Sequence, residues 1–184
     1  MRLKKASDWL YSKSTSLVAL VSLCLFLAFA ALVLPDQSAA AEAYSGGMGS
    51  PDTSLLYSSS DLYQMADIYG AAGRRAYIRA RFTFDLVFPL VYTFFLATSV
   101  SWLLERALAV ESLWRPLNLI PLAGMTFDFL ENIAAAMVFE RYPIQIPIAA
   151  FLAPIFTFIK WIFVGGCFAL LFFAFTIFIF RGRK

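Results

Sequence analysis

Acidic and basic side chains interrupt the long apolar stretches of this sequence. Charged groups in such places are typical of buried ion pairs, proton relays and ligand sites. Asp128, Glu131 and Asn132 stand at positions i, i+3 and i+4 of one apolar run, so a helix would place all three on one face. Lys160 interrupts another apolar run, and Asp85 stands at the start of a third. Two acids on one helix face in hydrocarbon are costly without partners, so the other elements must pack around them.

The depth of these residues in a membrane predicts which of them meet. Asp128 lies roughly 18 Å along its helix, and Lys160 lies about 18 Å along a helix that enters from the opposite side. Both positions fall near the middle of a bilayer. We therefore predict that Lys160 lies within ion-pair reach of Asp128 or Glu131.

Neighbouring polar side chains extend the candidate site. Tyr92 falls roughly on the same helix face as Asp85. We expect Asn132 and Thr157 to complete the hydrogen bonds of the acids. An ion pair with Arg81, one turn earlier, is the local alternative explanation of Asp85. The site, either a ligand-binding site or a buried polar cluster, comprises Asp85, Tyr92, Asp128, Glu131, Asn132, Thr157 and Lys160.

The residue types present exclude several kinds of catalysis. The chain has no histidine, which excludes Ser-His-Asp and Cys-His catalysis, His-ligated haem and His-containing zinc sites. Cys24 and Cys167 lie in apolar runs, and we predict buried hydrophobic residues rather than a disulfide or metal pair. The carboxylates of Asp128 and Glu131, together with Asn132, are suitable for acid–base chemistry or for binding a metal ion. No motif of a known reaction accompanies them. We therefore assign no catalytic residue, no metal ligand and no cofactor, and favour a protein that is not an enzyme.

The composition predicts an integral membrane protein. Of 184 residues, 61% are hydrophobic and 15% charged, with a mean hydropathy of +0.74, beyond the values of ordinary soluble domains. The net charge of +3 comes mostly from residues that flank apolar runs, so we expect no nucleic-acid partner. We predict an all-α fold, a four-helix transmembrane bundle in one domain (1–184) with a short amphipathic helix in the first outer loop. The predicted spans are approximately 17–34, 84–104, 116–139 and 148–180, and the outer loop is 35–82.

The first apolar run has two interpretations. Its basic start, its apolar core and Ala39-Ala40-Ala41 also fit a cleaved secretory signal peptide. The core from Leu17 to Leu34 is longer than the usual signal-peptide core and about long enough to span a membrane. We therefore expect a retained span.

The outer loop divides into a flexible part and a helix. Residues 36–54 are rich in Ala, Gly and Ser, which predicts flexibility. The next segment predicts a short helix, capped by Ser60 and ended by Gly70. We expect this helix to lie on the membrane surface or to cap the bundle, and a lid over a pocket is the alternative. Its apolar stripe comprises Leu62, Met65, Ala66 and Tyr69.

Two further features concern the later chain. Either lipid phosphates or the loop acids Asp61 and Asp67 are expected to hold the arginines that follow the short helix. Those arginines are Arg74, Arg75, Arg79 and Arg81. The last apolar stretch, 144–180, is longer than one perpendicular span needs, which predicts a bent start or a long tilted helix.

Four spans place both termini on one side of the membrane. The basic residues of that side are Arg2, Lys4, Lys5, Lys13, Arg106, Arg115, Arg181, Arg183 and Lys184. The basic residues of the other side are Arg74, Arg75, Arg79, Arg81 and Arg141. Because positive residues favour the cytoplasm, we predict a multi-pass protein of the plasma membrane with both termini cytoplasmic.

Four segments of the chain resemble a family of uncharacterised bacterial four-span membrane proteins. They are 73–77 (GRRAY), 83–92 (TFDLVFPLVY), 128–132 (DFLEN) and 158–161 (FIKW). This resemblance covers nearly the whole chain, agrees with the bacterial inner membrane, and carries no established activity. In architecture alone, the chain is also similar to EXPERA-domain proteins, which bind sterols and other lipids. They share four spans, cytoplasmic termini, a long first outer loop and acids facing a central cavity, which adds lipid to the candidate ligands.

These observations leave several functions open. We favour a structural or accessory bundle of unknown activity, in which the ion network fixes the register of the helices. The first alternative is a binding protein for a lipid or hydrophobic small molecule, whose acids hold a polar head. A proton-coupled transporter or channel subunit and an intramembrane enzyme are the others. Membrane lipids are the expected partners, and assembly into a homo-oligomer or a larger membrane complex is left open.

Overall fold

The computed structural model describes residues 2–181, and every regular element in that range is helical. The α-helices are α1 (Arg2–Lys13), α2 (Ser16–Leu32), α3 (Leu34–Ser45), α4 (Ser59–Ile68), α5 (Gly70–Arg81), α6 (Phe84–Ala107), α7 (Ile120–Arg141) and α8 (Pro147–Arg181). Two short 3-10 helices, Pro51–Thr53 and Arg115–Leu119, lie in the connections. The all-α prediction is confirmed for these residues.

Four helical stretches are long and apolar enough to cross a membrane. They are Ser16–Ser45, Gly70–Ala107, Arg115–Arg141 and Pro147–Phe180. Each stretch contains one predicted span, and the first two continue well beyond the predicted bounds. These extensions are less apolar than the spans, so hydropathy alone does not reveal them.

The segment predicted to be flexible, residues 36–54, is helical in its first half. Here α3, Leu34–Ser45, follows α2 after a single residue, Val33. Alanine has the highest helix propensity, and Pro35 stands in the first turn, where the missing N–H breaks no helical hydrogen bond. Gly46 ends the helix with a φ of 60°, a left-handed conformation that glycine adopts without strain. The prediction of flexibility is therefore wrong for α3.

Helix α4 begins earlier than predicted, because Ser58 and not Ser60 caps it. Ser58 Oγ accepts a hydrogen bond from the Asp61 backbone N at 3.2 Å, and the Asp61 carboxylate accepts one from the Ser58 backbone N at 2.8 Å. These reciprocal bonds form a capping box, and the hydrogen bonds from Ser58 lower the pKa of Asp61. The predicted apolar stripe is buried against α7 and α8, so α4 caps the bundle.

The hairpin of α7 and α8 makes the most extensive helix contact in the bundle. Small side chains line it and let the backbones approach closely; they are Ala134 and Ala135 of α7 and Ala149, Ala150 and Ala153 of α8. Helix α8 is one continuous helix of 35 residues, with Pro154 inside. A helix of that length is about 52 Å long, so α8 is the long helix of the two predicted alternatives and not the bent segment.

Different contacts hold the two ends of the bundle. At one end, α1 packs on the connection between α6 and α7, where Tyr11 Oη donates to Arg115 O at 2.8 Å. At the other end, Tyr142 Oη, just after α7, donates to Asp67 Oδ1 at 2.8 Å. The amino-terminal helix and the α6–α7 connection therefore share one end, and α4 and the α7–α8 connection share the opposite end.

Both cysteines are free. Cys167 is buried in α8, as predicted, whereas Cys24 is exposed on α2 and that prediction is wrong. Only 6% of the apolar window of the Ser16–Ser45 stretch is buried in the isolated bundle, because α2 packs on one side only, mainly on α6.

Candidate functional site

Lys160 lies at the centre of a buried ion network between α7 and α8. Its Nζ lies 2.6 Å from Glu131 Oε2 and 3.9 Å from Asp128 Oδ1, and the residue is 3% exposed. The two acids share one face of α7, as their spacing requires. The ion pair predicted from the matching depths of these residues is present.

Asp52 is a member of the network that sequence reasoning missed. It belongs to the 3-10 helix Pro51–Thr53, where its carboxylate accepts a hydrogen bond from Lys160 Nζ and lies 3.4 Å from an Arg81 amine. Burial raises its pKa, but these two cations outweigh burial and hold the pKa of Asp52 below its usual range. One signal was available: Asp52 is the only charged residue between Glu42 and Asp61.

Arg81 connects Asp52 to Asp85. Its second amine lies 2.8 Å from Asp85 Oδ2, one helical turn away, so the local ion pair considered for Asp85 is confirmed. The guanidinium also lies over the Tyr77 ring, 4.7 Å from its centroid, a favourable cation–π geometry. Arg81 is only 5% exposed, and its acid partners are Asp52 and Asp85, not the loop acids Asp61 and Asp67 that were one of its two predicted alternatives.

Tyr92 and Asn132 supply hydrogen bonds to Asp128. Tyr92 Oη donates to Asp128 Oδ2 at 2.9 Å, and Asn132 Nδ2 donates to Asp128 Oδ1 at 3.3 Å. The Asn132 amide oxygen accepts from Arg81 at 3.3 Å. Asn132 therefore links the α7 acids to the arginine pair, as an amide with both donors and acceptors can.

Thr157 has other partners than those predicted. Its hydroxyl donates to Ala153 O at 3.0 Å, one turn earlier, and lies 3.0 Å from Tyr57 Oη. A short hydroxyl in a helix commonly bonds the preceding turn in this way. Thr157 therefore holds the connection between α3 and α4 against α8 through Tyr57, and Asp128 receives its hydrogen bonds from Tyr92 and Asn132.

The network contains more acids than bases. Its carboxylates are Asp52, Asp85, Asp128 and Glu131, and its cations are Arg81 and Lys160. At full ionisation, two negative charges would lack a buried cation. In addition, Glu131 Oε1 accepts no hydrogen bond from any described residue, although Glu131 is fully buried. The network therefore has spare capacity for a proton or for a cationic group.

Three of these carboxylates are arranged like a metal site. Oxygens of Asp52, Asp128 and Glu131 lie within 4.8 Å of one another. The Lys160 ammonium already lies within ion-pair distance of all three. A metal ion would have to displace this ammonium, so the geometry favours lysine as the cation of the cluster.

Two cavities adjoin the network. One, the aromatic chamber, has a volume of about 210 Å³ and lies between α2, α6 and α8. Its lining comprises Phe26, Asp52, Asp85, Phe88, Tyr92, Asp128, Lys160, Trp161, Val164 and Phe168. Most of this surface is apolar, and the charged residues belong to the network described above. The aromatic chamber therefore has apolar walls around a charged patch.

The other cavity, the polar chamber, has a volume of about 370 Å³ and is bounded by α3, the connection between α3 and α4, and the junction of α5 with α6. Its lining comprises Leu34, Gln37, Ser38, Ala41, Glu42, Tyr44, Ser45, Gly47, Gly49, Ser50, Asp52, Thr53, Ala80, Arg81, Phe84 and Asp85. Asp52 and Asp85 line both chambers. The network is therefore accessible from two cavities.

A larger groove lies away from the network, between α2, α6 and α8 near Ser16 and Trp102. It has a volume of about 490 Å³, and no charged residue is among those that line it. Because it offers no charged group, we do not assign it to the site.

The chain was compared with protein-family models, with curated proteins and with solved structures. No family model, no curated protein and no solved structure matches it. The resemblance to a bacterial four-span family and the architectural likeness to EXPERA-domain proteins therefore stay predictions.

Proposed function

We propose that the protein binds a lipid or another hydrophobic small molecule that carries a polar head. The observation that supports this function is the aromatic chamber, which combines five aromatic residues with the charged residues of the network in one cavity. Ligand sites typically have apolar walls and a few converging polar groups. The aromatic residues are Phe26, Phe88, Tyr92, Trp161 and Phe168.

The size of the chamber favours an elongated ligand that is only partly enclosed. Its volume of about 210 Å³ lies below the about 300–1,000 Å³ typical of pockets for drug-sized molecules. The side chain of Phe168 at the chamber wall is 43% exposed. We infer that the chamber encloses only part of the ligand, while the rest of its tail lies along α8 in the bilayer.

A structural role is the second candidate, and one observation favours it. Lys160 lies within ion-pair distance of acids from two different parts of the chain, α7 and the connection between α3 and α4. A network of this kind fixes helix register even without a ligand. The two candidates differ in what the purified protein retains, since only the binding function requires a molecule in the chamber.

Native mass spectrometry of protein purified in a mild detergent tests the binding function. We expect the wild-type protein to retain a lipid or hydrophobic molecule, and Trp161→Ala to retain less, because that ring forms part of the chamber wall. Trp114→Ala is the matched control, since Trp114 is 65% exposed and lies in the α6–α7 connection. A wild-type protein that retains nothing and rebinds nothing from a lipid extract contradicts the proposal. The same spectra give the oligomeric state.

We also propose that the protein resides in a bacterial inner membrane with both termini cytoplasmic. The charge bias supports this orientation, and the burial of Arg81 in the network removes one positive residue from the outer side. Leu56, 81% exposed in the connection between α3 and α4, provides a labelling site on the proposed outer side. A Leu56→Cys protein, with both native cysteines replaced by alanine, should react with an impermeant maleimide in intact spheroplasts. Reaction only after permeabilisation would reverse the orientation.

A further inference from the structure

The polar chamber has an uncompensated negative charge. Three carboxylates and one guanidinium line it. Arg81 is already in ion pairs with Asp52 and Asp85, at 3.4 and 2.8 Å. The third acid, Glu42, is exposed and makes no salt bridge with any residue in the range 2–181. An incoming cation would therefore meet more acids than bases here.

An unpartnered buried hydroxyl lines the same chamber. Ser50 is 6% exposed, and its Oγ has no hydrogen-bond partner among the described residues. Buried polar side-chain atoms nearly always have a partner, so a donor from outside the chain is the simplest explanation for this hydroxyl beside a cavity.

A strip of aromatic rings joins the rims of the two chambers. Phe84 lines the polar chamber and Phe88 lines the aromatic chamber. Their rings are stacked with centroids 5.5 Å apart, and Phe29 stacks on both, at 5.8 and 5.7 Å. A molecule with its head in the polar chamber therefore has a continuous apolar path for its tail.

We propose that the polar chamber binds the ammonium head of an amphiphile, with Glu42 and Asp85 facing the charge and Ser50 Oγ accepting one of its N–H groups. This inference rests on the proposed function, because it names the head of the same class of ligand. A carboxylate or phosphate head fits poorly, since the one cation of the lining is already shared by two acids. An alcohol head would leave the charge of Glu42 unbalanced.

Four probes with systematic differences test this inference. Dodecylamine, 1-dodecanol and dodecanoate share a tail and differ in head charge at pH 7, and ethylamine has the head without the tail. Native mass spectrometry of the wild-type protein should show dodecylamine binding roughly tenfold or more tighter than 1-dodecanol, the effect of one charge-assisted hydrogen bond. Of the three dodecyl probes, we expect dodecanoate to bind weakest. Ethylamine, which lacks the tail, should bind far more weakly than dodecylamine.

Single-residue variants test whether the preference for dodecylamine arises in the polar chamber. Glu42→Gln should remove most of the preference for dodecylamine without changing 1-dodecanol binding, and its exposed position makes misfolding a small concern. Ser50→Ala should weaken dodecylamine binding severalfold. Glu111→Gln is the matched control, because it removes the same charge from an exposed residue of the α6–α7 connection, away from the polar chamber. That variant should bind all four probes as the wild type does.

The outcomes separate this inference from the proposed function. Equal binding of the three dodecyl probes, or an unchanged preference in Glu42→Gln, overturns the ammonium site and leaves lipid binding intact. If no dodecyl probe binds and no lipid is retained, the proposed function fails as well. Ethylamine binding as tightly as dodecylamine supports the ammonium site and contradicts an amphiphilic ligand.

Discussion

The replacement Lys160→Leu tests whether the ion network stabilises the fold. Lys160 Nζ contacts Asp52 and Glu131 and lies 3.9 Å from Asp128. Leucine would leave the carboxylates of the network with one cation, the Arg81 guanidinium. Removing one partner of a buried ion pair typically costs about 3–5 kcal/mol, because the other charge stays uncompensated. Since Asp52 is partly exposed and regains some hydration, we expect a loss of about 3 kcal/mol in the free energy of unfolding.

A second replacement should recover part of this loss. In Lys160→Leu/Glu131→Gln the network again has two more carboxylates than cations, as in the wild type. We expect the double variant to be about 1.5 kcal/mol more stable than Lys160→Leu, within the range of coupling energies between contacting residues. Asp128→Asn in the same background should recover less, because Lys160 Nζ is 3.9 Å from Asp128 but 2.6 Å from Glu131.

Reversible unfolding in detergent micelles, followed by tryptophan fluorescence, measures these differences. Lys13→Leu is the matched control, since Lys13 is exposed on α1, and its effect should stay within about 0.5 kcal/mol. If Lys160→Leu is as stable as Lys13→Leu, the ion network contributes nothing to stability. A double variant less stable than Lys160→Leu would show that charge balance is not the reason for the loss.

Three further predictions concern residues outside the spans. Ser58→Ala removes the capping box of α4 and should lower the free energy of unfolding by about 1 kcal/mol, which the same assay measures. The pKa of Asp52 is depressed in the fold, so its carboxylate stabilises the protein above about pH 4, and this stabilisation is lost as the pH falls towards the folded-state pKa. The melting temperature of the wild type should therefore exceed that of Asp52→Asn at pH 7 by more than at pH 3, and an unchanged difference would contradict this. Tyr11→Phe deletes the 2.8 Å bond to Arg115 O and should cost about 1 kcal/mol, with faster hydrogen exchange in α1 as a second measurement.

The sequence predicts the spans and the central ion pair for physical reasons that act locally. Apolar runs of sufficient length must be helical in a bilayer, because each backbone polar group needs a partner within its own segment. The spacing of Asp128 and Glu131 then determines a helix face, and equal depth makes Lys160 their partner. Only helix geometry and the cost of an unpaired charge enter this argument.

The sequence does not predict the place of Asp52 in the network, because no local feature of the chain determines its position. It lies 108 residues from Lys160 in the chain, on a connection whose glycines and serines indicate flexibility when considered alone. Its attraction to two buried cations is a tertiary effect. Helix α3 is not predicted for a different reason: its alanines favour a helix, but the glycines and serines that follow them make the segment as a whole resemble a loop. Thr157 shows a third limit, because a hydroxyl can satisfy itself on its own helix.

For the membrane placement proposed above, the order of residues along the chain gives the central ion pair a consequence for insertion. Asp128 and Glu131 leave the ribosome before Lys160 does, and α7 is the least apolar of the four candidate spans. An acid at the centre of an isolated helix costs about 2.5–3.5 kcal/mol during translocon-mediated insertion. Helix α7 alone is therefore a poor substrate for the translocon, whereas the α7–α8 hairpin carries its own counter-ion. We expect the two helices to enter the bilayer together, after synthesis has passed Lys160.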